Sequence, residues 1–153
     1  MPVSDYIANL RTRIGHGLLM LPGVCAIIVR DGRVLLQRRA DTGEWGTVGG
    51  AVDPGETPAV AVLREAKEET GLAIAIDRVA GVYSSPEIVY PNRDRCIYVT
   101  TSFRCRVVGG TLEAVDGESA ELRWFDPADL PPLHGDANVR VHDALPEHGE
   151  AKW

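Results

Sequence analysis

From Val24 to Arg39 the chain reads VCAIIVRDGRVLLQRR, two runs of β-branched and aliphatic residues joined at Asp31-Gly32. An Asp-Gly pair supplies the positive-φ residues of a two-residue turn, so this pattern predicts an antiparallel hairpin. Strand-like text returns at Ile74 to Tyr83, Cys96 to Val107 and Glu121 to Phe125, separated by turn-rich pieces such as SSPEIVYPNRD and VDGES. Ser4 is placed to cap a short helix from Asp5 to Arg13 that Gly15 ends, which makes residues 1–17 an N-terminal helical appendage. The tail, residues 134–153, offers a last helix from Asp136 with Pro146 inside its reach. No internal repeat, low-complexity tract or interdomain linker breaks this order, so residues 1–153 are expected to form a single domain of mixed helix and strand.

One helix is better marked than the others. Thr57 is a good N-cap, Pro58 suits the first helical position, and Gly71 sits where a left-handed terminating residue belongs, so a helix is expected from Pro58 to Thr70. At about 100° per residue, Ala59, Val62, Leu63, Ala66 and Thr70 share an arc that should face the core. Glu65, Glu68 and Glu69 share the neighbouring arc, with the small Ala61 beside them. Before this helix, EWGTVGGAVDPGE bends the backbone repeatedly with four glycines and a proline.

Composition narrows the class. The 153 residues are 44% hydrophobic and 25% charged, ordinary for a globular protein and unlike a disordered or fibrous one. The formal net charge is -6 and no Lys/Arg run exceeds two residues, so the field that drives nucleic-acid binding is not expected. The apolar stretch Leu18 to Val29 is interrupted by Pro22 and Gly23, too short for a bilayer, and lacks the basic flank of a signal peptide. Cys25, Cys96 and Cys105 are odd in number without CxxC spacing, which speaks against a disulfide framework or zinc site and for a reducing, cytoplasmic compartment.

The glutamates of REAKEETG, Arg64 to Gly71, pose an electrostatic question. Like charges three and four residues apart cost a helix a few tenths of a kcal/mol per pair. A solvated acidic face is one answer. The other is a divalent cation, since carboxylates on one helical patch are the hard oxygen ligands that Mg²⁺ or Mn²⁺ prefers.

From Gly50 the text is GAVDPGETPAVAVLREAKEETGL. It resembles the Nudix box, G-x5-E-x7-R-E-U-x-E-E-x-G-U with U a bulky aliphatic residue, at every fixed position: Gly50, Glu56, Arg64, Glu65, Glu68, Glu69 and Gly71, with Leu72 at the last U. Ala66 at the first U is smaller than usual, and Thr47-Val48 stands where many members carry Leu-Pro. The resemblance implies the Nudix fold, an α+β architecture with a mixed sheet sandwiched between helices. It implies hydrolysis of the diphosphate linkage in a nucleoside diphosphate joined to another moiety, such as a nucleotide sugar, ADP-ribose or a dinucleoside polyphosphate. Glu65, Glu68 and Glu69 would be metal ligands, with the Gly50 carbonyl a further one, and Arg64 would orient them with Glu56 as its partner.

Several roles stay open. Glu65 or Glu68 could act as general base, as could Glu118 on a later loop. Arg38 or Arg39 could reach a phosphate, because strand alternation sends their side chains to opposite faces. Arg93 and Arg95 lie in a loop that could border the pocket, and Trp45, Tyr83 or Tyr90 could stack on a base. Within the family, a proline about fifteen residues past the box marks ADP-ribose hydrolases and a tyrosine a little further on marks dinucleoside polyphosphate hydrolases; Pro86 and Tyr90 stand at both places. A nucleoside triphosphate pyrophosphohydrolase that removes damaged nucleotides, or a catalytically silent nucleotide-binding sensor, would use the same box. Related proteins are often dimers, so the resemblance also leaves room for a homodimer.

Overall fold

The computed structural model describes residues 4–115 and 117–153. Residues 1–3 of the expected appendage and Asp116 of the VDGES turn lie outside the described residues. In chain order the elements are α1 (Asp5–Ile14), β1 (Leu18–Arg30), β2 (Arg33–Arg39), β3 (Trp45–Gly46), β4 (Val48–Ala51), α2 (Pro58–Thr70), β5 (Leu72–Ser84), β6 (Ile88–Val89), β7 (Arg95–Gly110), β8 (Ser119–Phe125) and α3 (Ala137–Ala144).

The predicted hairpin forms as β1 and β2, with Asp31 at φ 51° and Gly32 at φ 73° in the turn. The main path of the sheet runs β3-β2-β1-β7-β5, while β4 pairs with β1, β6 with β7 and β8 with β2. β1 and β7 run parallel and the other named pairs antiparallel, so the sheet is mixed.

Alternation along β1 explains the layers. Val24, Ala26 and Ile28 pack with Leu35, Val48, Phe103 and Cys105 under Ala61, Val62 and Ala66 of α2. Cys25 and Ile27 point the other way, and with Val34 and Leu36 they pack against Val141 and Ala144 of α3. A strand buried on both faces reads as a continuous apolar run, as this one does. The sheet is thereby sandwiched between α2 and α3. Leucine and isoleucine side chains buried this fully are worth about 1.5–3 kcal/mol each.

The structure corrects five expectations. β1 begins at Leu18, six residues before Val24, because its first half pairs in parallel with β7 from Arg95 onward. The glycine-rich stretch contains β3 and β4, and the SSPEIVYPNRD turn contains the short strand β6. Pro146 follows α3 without entering it. The buried positions of α2 are Ala61, Val62, Glu65, Ala66, Glu69 and Thr70, whereas Ala59 is exposed and Leu63 is 40% exposed. The inward arc is rotated onto two of the glutamates.

The caps of α2 are as expected. Thr57 Oγ1 accepts from the Val60 N–H at 3.2 Å, and Gly71 takes the left-handed conformation at φ 70° with its N–H on the Lys67 carbonyl. A Cβ at Gly71 would lie 2.5 Å from the Thr111 carbonyl oxygen, a backbone atom with little freedom to move. Gly71→Ala is therefore expected to lower stability by about 1–3 kcal/mol, read as a drop in the urea midpoint at unchanged m value. A midpoint equal to the parent's would mean that the β5 entry relaxes around the new methyl group.

Candidate active site

The site is built where α2 crosses the β4 edge. Arg64 projects from the helix back over the loop that leads into it. Its Nε and Nη2 donate to the two Glu56 oxygens at 2.8 and 2.9 Å, Nη2 also to the Ala51 carbonyl at 3.2 Å, and Nη1 to Glu65 Oε1 at 2.9 Å and Glu68 Oε2 at 3.2 Å. A guanidinium has five N–H donors, and here each has an acceptor. Glu56 is also tied to its own loop, where Oε2 accepts from the Asp53 N–H at 3.1 Å. Fork-to-carboxylate pairing of this kind is geometrically specific as well as strong. It pushes the Arg64 guanidinium pKa up, chiefly through Glu56, and holds the Glu56 carboxyl low.

The three box glutamates differ in environment. Glu65 is fully buried; burial pushes its carboxyl up, which Arg64 partly offsets. Its Oε2 has no hydrogen-bond partner among the described residues. A buried carboxylate oxygen without a donor is costly unless a cation satisfies it, so the donor set fits a hard divalent ion. Glu68 is half exposed, with its side chain at 51% accessibility. Glu69 is buried and its Oε2 accepts from the Gly49 N–H at 2.9 Å and from Gln37 Nε2 at 3.3 Å. Among the described residues no group of three His, Cys, Asp or Glu side chains is already gathered as a cage. Arg64 draws Glu65 and Glu68 to itself while the β4 backbone draws Glu69.

Gly50 pairs with Val24 in the β1–β4 ladder, next to Gly49. Gly49 has φ 151°, and a Cβ there would stand 2.1 Å from the Val24 carbonyl oxygen. Only glycine lets β4 approach β1 closely enough for that N–H to meet Glu69.

The other candidates scatter. Arg38 is paired with Glu121 at 3.1 Å, and Arg39 is held by Asp41 at 2.7 Å. Of the two, Arg39 continues the alternation of Leu35 and Gln37, so it is the one on the α2 face. The Glu118 carbonyl accepts from the Ala40 N–H at 2.7 Å, which sets that loop beside the end of β2. Tyr90 hydroxyl lies 3.1 Å from Tyr98 hydroxyl, and Arg93 is exposed in the preceding turn at φ 70°. Arg95 pairs with Glu87. Tyr83 donates to Asp143 of α3 at 2.7 Å, and Trp45 stands edge-on to Phe125 at 4.9 Å in the α3-side core. Those two aromatics serve the layer opposite α2, a correction to their candidacy for base stacking.

Sequence reasoning missed Gln37, Gly49 and Ser119. The signal for Gln37 was a polar residue at an inward position of an apolar strand, one step past Leu36.

Comparison with known proteins agrees with this geometry. A family model described as NUDIX domain matches residues 20–145. A protein from Methanocaldococcus jannaschii named ADP-ribose pyrophosphatase is 39% identical over 148 residues, covering 93% of this chain and 84% of that protein. A Streptomyces ambofaciens protein named MutT-like is 38% identical over 124 residues, covering 80% of this chain and 75% of its own length. Among solved structures, a Streptococcus suis ADP-ribose pyrophosphatase superposes with TM-score 0.70 at 25% identity, over 86% of this chain and 97% of that one.

The Arg64 fork generates a pH dependence. Hydrogen bonding from Arg64 holds Glu56 below the ordinary glutamate value of 4.5. An acid with a depressed folded pKa contributes stability above its unfolded pKa and loses it as pH falls through the folded value. Glu56→Gln is expected to lower stability near neutral pH by about 1–3 kcal/mol. Its gap from the parent should close as the pH is taken from about 4.5 downward, in denaturant titrations at each pH. A gap that does not change with pH would contradict the charge-assisted pairing.

Proposed function

The chain belongs to the NUDIX family and is a Nudix hydrolase of nucleoside diphosphate derivatives, and on that premise we propose a metal-dependent mechanism centred on α2. The observation that carries it is the buried Oε2 of Glu65, without a donor among the described residues, on a helix whose neighbouring turn bears Glu68 and Glu69. In this reading Glu65, Glu68, Glu69 and the Gly50 carbonyl hold a divalent cation, Mg²⁺ with Mn²⁺ as a substitute. When bound, such a cation opposes the charge of the diphosphate and lowers the pKa of a water.

Arg64 and Glu56 orient the carboxylates, and Gly71 ends the helix that presents them. Glu68 is half exposed, so it is the box glutamate that a water reaches most readily, which favours it as general base over the buried Glu65. Glu118, on the loop beside Ala40, is the other candidate. Arg39, on the α2 face, is the better placed of the two β2 arginines for a phosphate, with Tyr90 and Arg93 on the neighbouring loop and Arg38 turned to the opposite face.

The near full-length similarity to a protein named ADP-ribose pyrophosphatase favours a substrate of the ADP-ribose or nucleotide-sugar type. The MutT-like relative supports a second reading, a nucleoside triphosphate pyrophosphohydrolase. A silent nucleotide sensor is disfavoured by the complete box. Residues 1–153 act as one domain in this proposal, in the cytoplasm, where the buried thiols of Cys25, Cys96 and Cys105 stay reduced, and as a homodimer. No helix among the described residues is long and apolar enough to cross a membrane.

The test is a turnover screen with Mg²⁺ or Mn²⁺ across ADP-ribose, nucleotide sugars, dinucleoside polyphosphates and nucleoside triphosphates. Release of two monophosphates from ADP-ribose supports the first reading, and release of pyrophosphate from a triphosphate supports the second. Glu68→Gln is expected to lower kcat by about 100-fold or more with an unchanged thermal midpoint. Turnover near the parent's would remove Glu68 from the chemistry. Thermal shifts by ligands without any turnover would favour the sensor.

A further inference from the structure

A buried polar relay behind Glu69 has no part in the hydrolysis steps. Gln37 on β2 is 6% exposed and follows Leu35 on the α2 face of the sheet. Its Nε2 donates to the Thr47 carbonyl at 3.1 Å and to Glu69 Oε2 at 3.3 Å, while its Oε1 accepts from the Ser119 hydroxyl. The amide has one workable orientation. A carbonyl and a carboxylate only accept, so the NH₂ group must face them, which leaves Oε1 for the hydroxyl of Ser119, itself buried.

An interior strand position is ordinarily filled by an aliphatic side chain, because a buried amide must find partners for all of its polar atoms. Here the partners are found, and they come from three separate places: Ser119 starts β8, Thr47 lies between β3 and β4, and Glu69 belongs to α2, where Gly49 of β4 donates to the same Glu69 oxygen. The relay therefore fixes one carboxylate oxygen of a helix residue from the sheet beneath it. Outer-shell partners of this kind set the position of a ligand, and their removal typically weakens metal binding about 10- to 100-fold.

We propose that Gln37, oriented by Ser119, is a positioning residue that fixes Glu69 as a ligand of the divalent cation; this rests on the metal role of Glu69 proposed above. Gln37 touches neither substrate nor cation. It limits the rotamers of Glu69, so that the cation meets a carboxylate already in place.

The experiment uses the full chain and Mn²⁺ alone, without substrate, with unbound Mn²⁺ followed by its electron paramagnetic resonance signal and thermal unfolding measured alongside. Glu69→Gln examines the underlying reading: unchanged Mn²⁺ affinity there would remove the metal role of Glu69 and this proposal with it. Where Glu69→Gln weakens binding, Gln37→Met, which keeps the length and removes the donor, is expected to weaken Mn²⁺ about 10-fold or more. Combined with Glu69→Gln it should add nothing further, as a residue acting through Glu69 must. Ser119→Ala should give a smaller weakening of the same kind, and it carries the test if Gln37→Met does not fold. Affinity within about twofold of the parent in either folded variant, well short of the outer-shell range, overturns the proposal, as does equal weakening by Gln37→Met with and without Glu69→Gln.

Discussion

Arg64 is the interaction on which the rest of the site depends. Its five donors reach back to Glu56 and Ala51 in the loop and sideways to Glu65 and Glu68 on its own helix. The crowding of carboxylates on α2 is thus offset within the protein itself, by one cation shared among three anions. That sharing also ties the loop to the helix. The Ala51 carbonyl and Glu56 in the loop hold the same guanidinium that donates to Glu65, the residue least able to stand without a partner, because it is fully buried. A guanidinium suits this post and an ammonium would not, since a lysine could meet neither the fork on Glu56 nor four acceptor groups at once.

The helix that carries the box was visible in the sequence from its caps, because Thr57, Pro58 and Gly71 act locally. Its rotation was not. Hydrophobicity alone turned Ala59 and Leu63 inward, whereas the structure buries Ala61, Glu65 and Glu69 on that side. The reason lies in partners remote in sequence: Gly49 and Gln37 hold Glu69 from the sheet, and the loop holds Arg64. A carboxylate with buried donors behaves as an inward-facing residue, and no periodicity within the helix can reveal those donors. The small Ala61 and Ala66, both fully buried, let the helix lie close to the sheet at that angle.

The sheet shows the same division between local and distant causes. The Asp31-Gly32 hairpin needs only its turn and two apolar runs, and it formed where those stood. β4 is short and glycine-rich, with Val48 its one β-branched residue, so it offered little strand pattern; it exists because β1 accepts it through four residue pairs. Gly49 serves that pairing and the Glu69 contact together, since the missing Cβ admits the strand and the N–H points at the carboxylate. The box pattern marks the glycine at 50, and its neighbour Gly49 carries a steric demand of its own. Gln37 and Ser119 escaped notice for a related reason: they are 82 residues apart and meet only once β2 and β8 are paired.

Charge balance says where a diphosphate must find its positive partner. The net charge is -6, and the arginines near the box are already committed: Arg64 to three glutamates, Arg38 to Glu121, Arg39 to Asp41 and Arg95 to Glu87. An anion that recruits Arg39 has to compete with Asp41, an exposed pair on one strand end worth about 0–1 kcal/mol, so that exchange is cheap. Recruiting Arg64 would instead strand the buried Glu65, at a cost of about 3–5 kcal/mol typical of a broken buried pair. In the proposed mechanism the phosphate charge would therefore be met at the rim by Arg39 and at the centre by a cation held by the glutamates, with Arg64 kept as part of the scaffold.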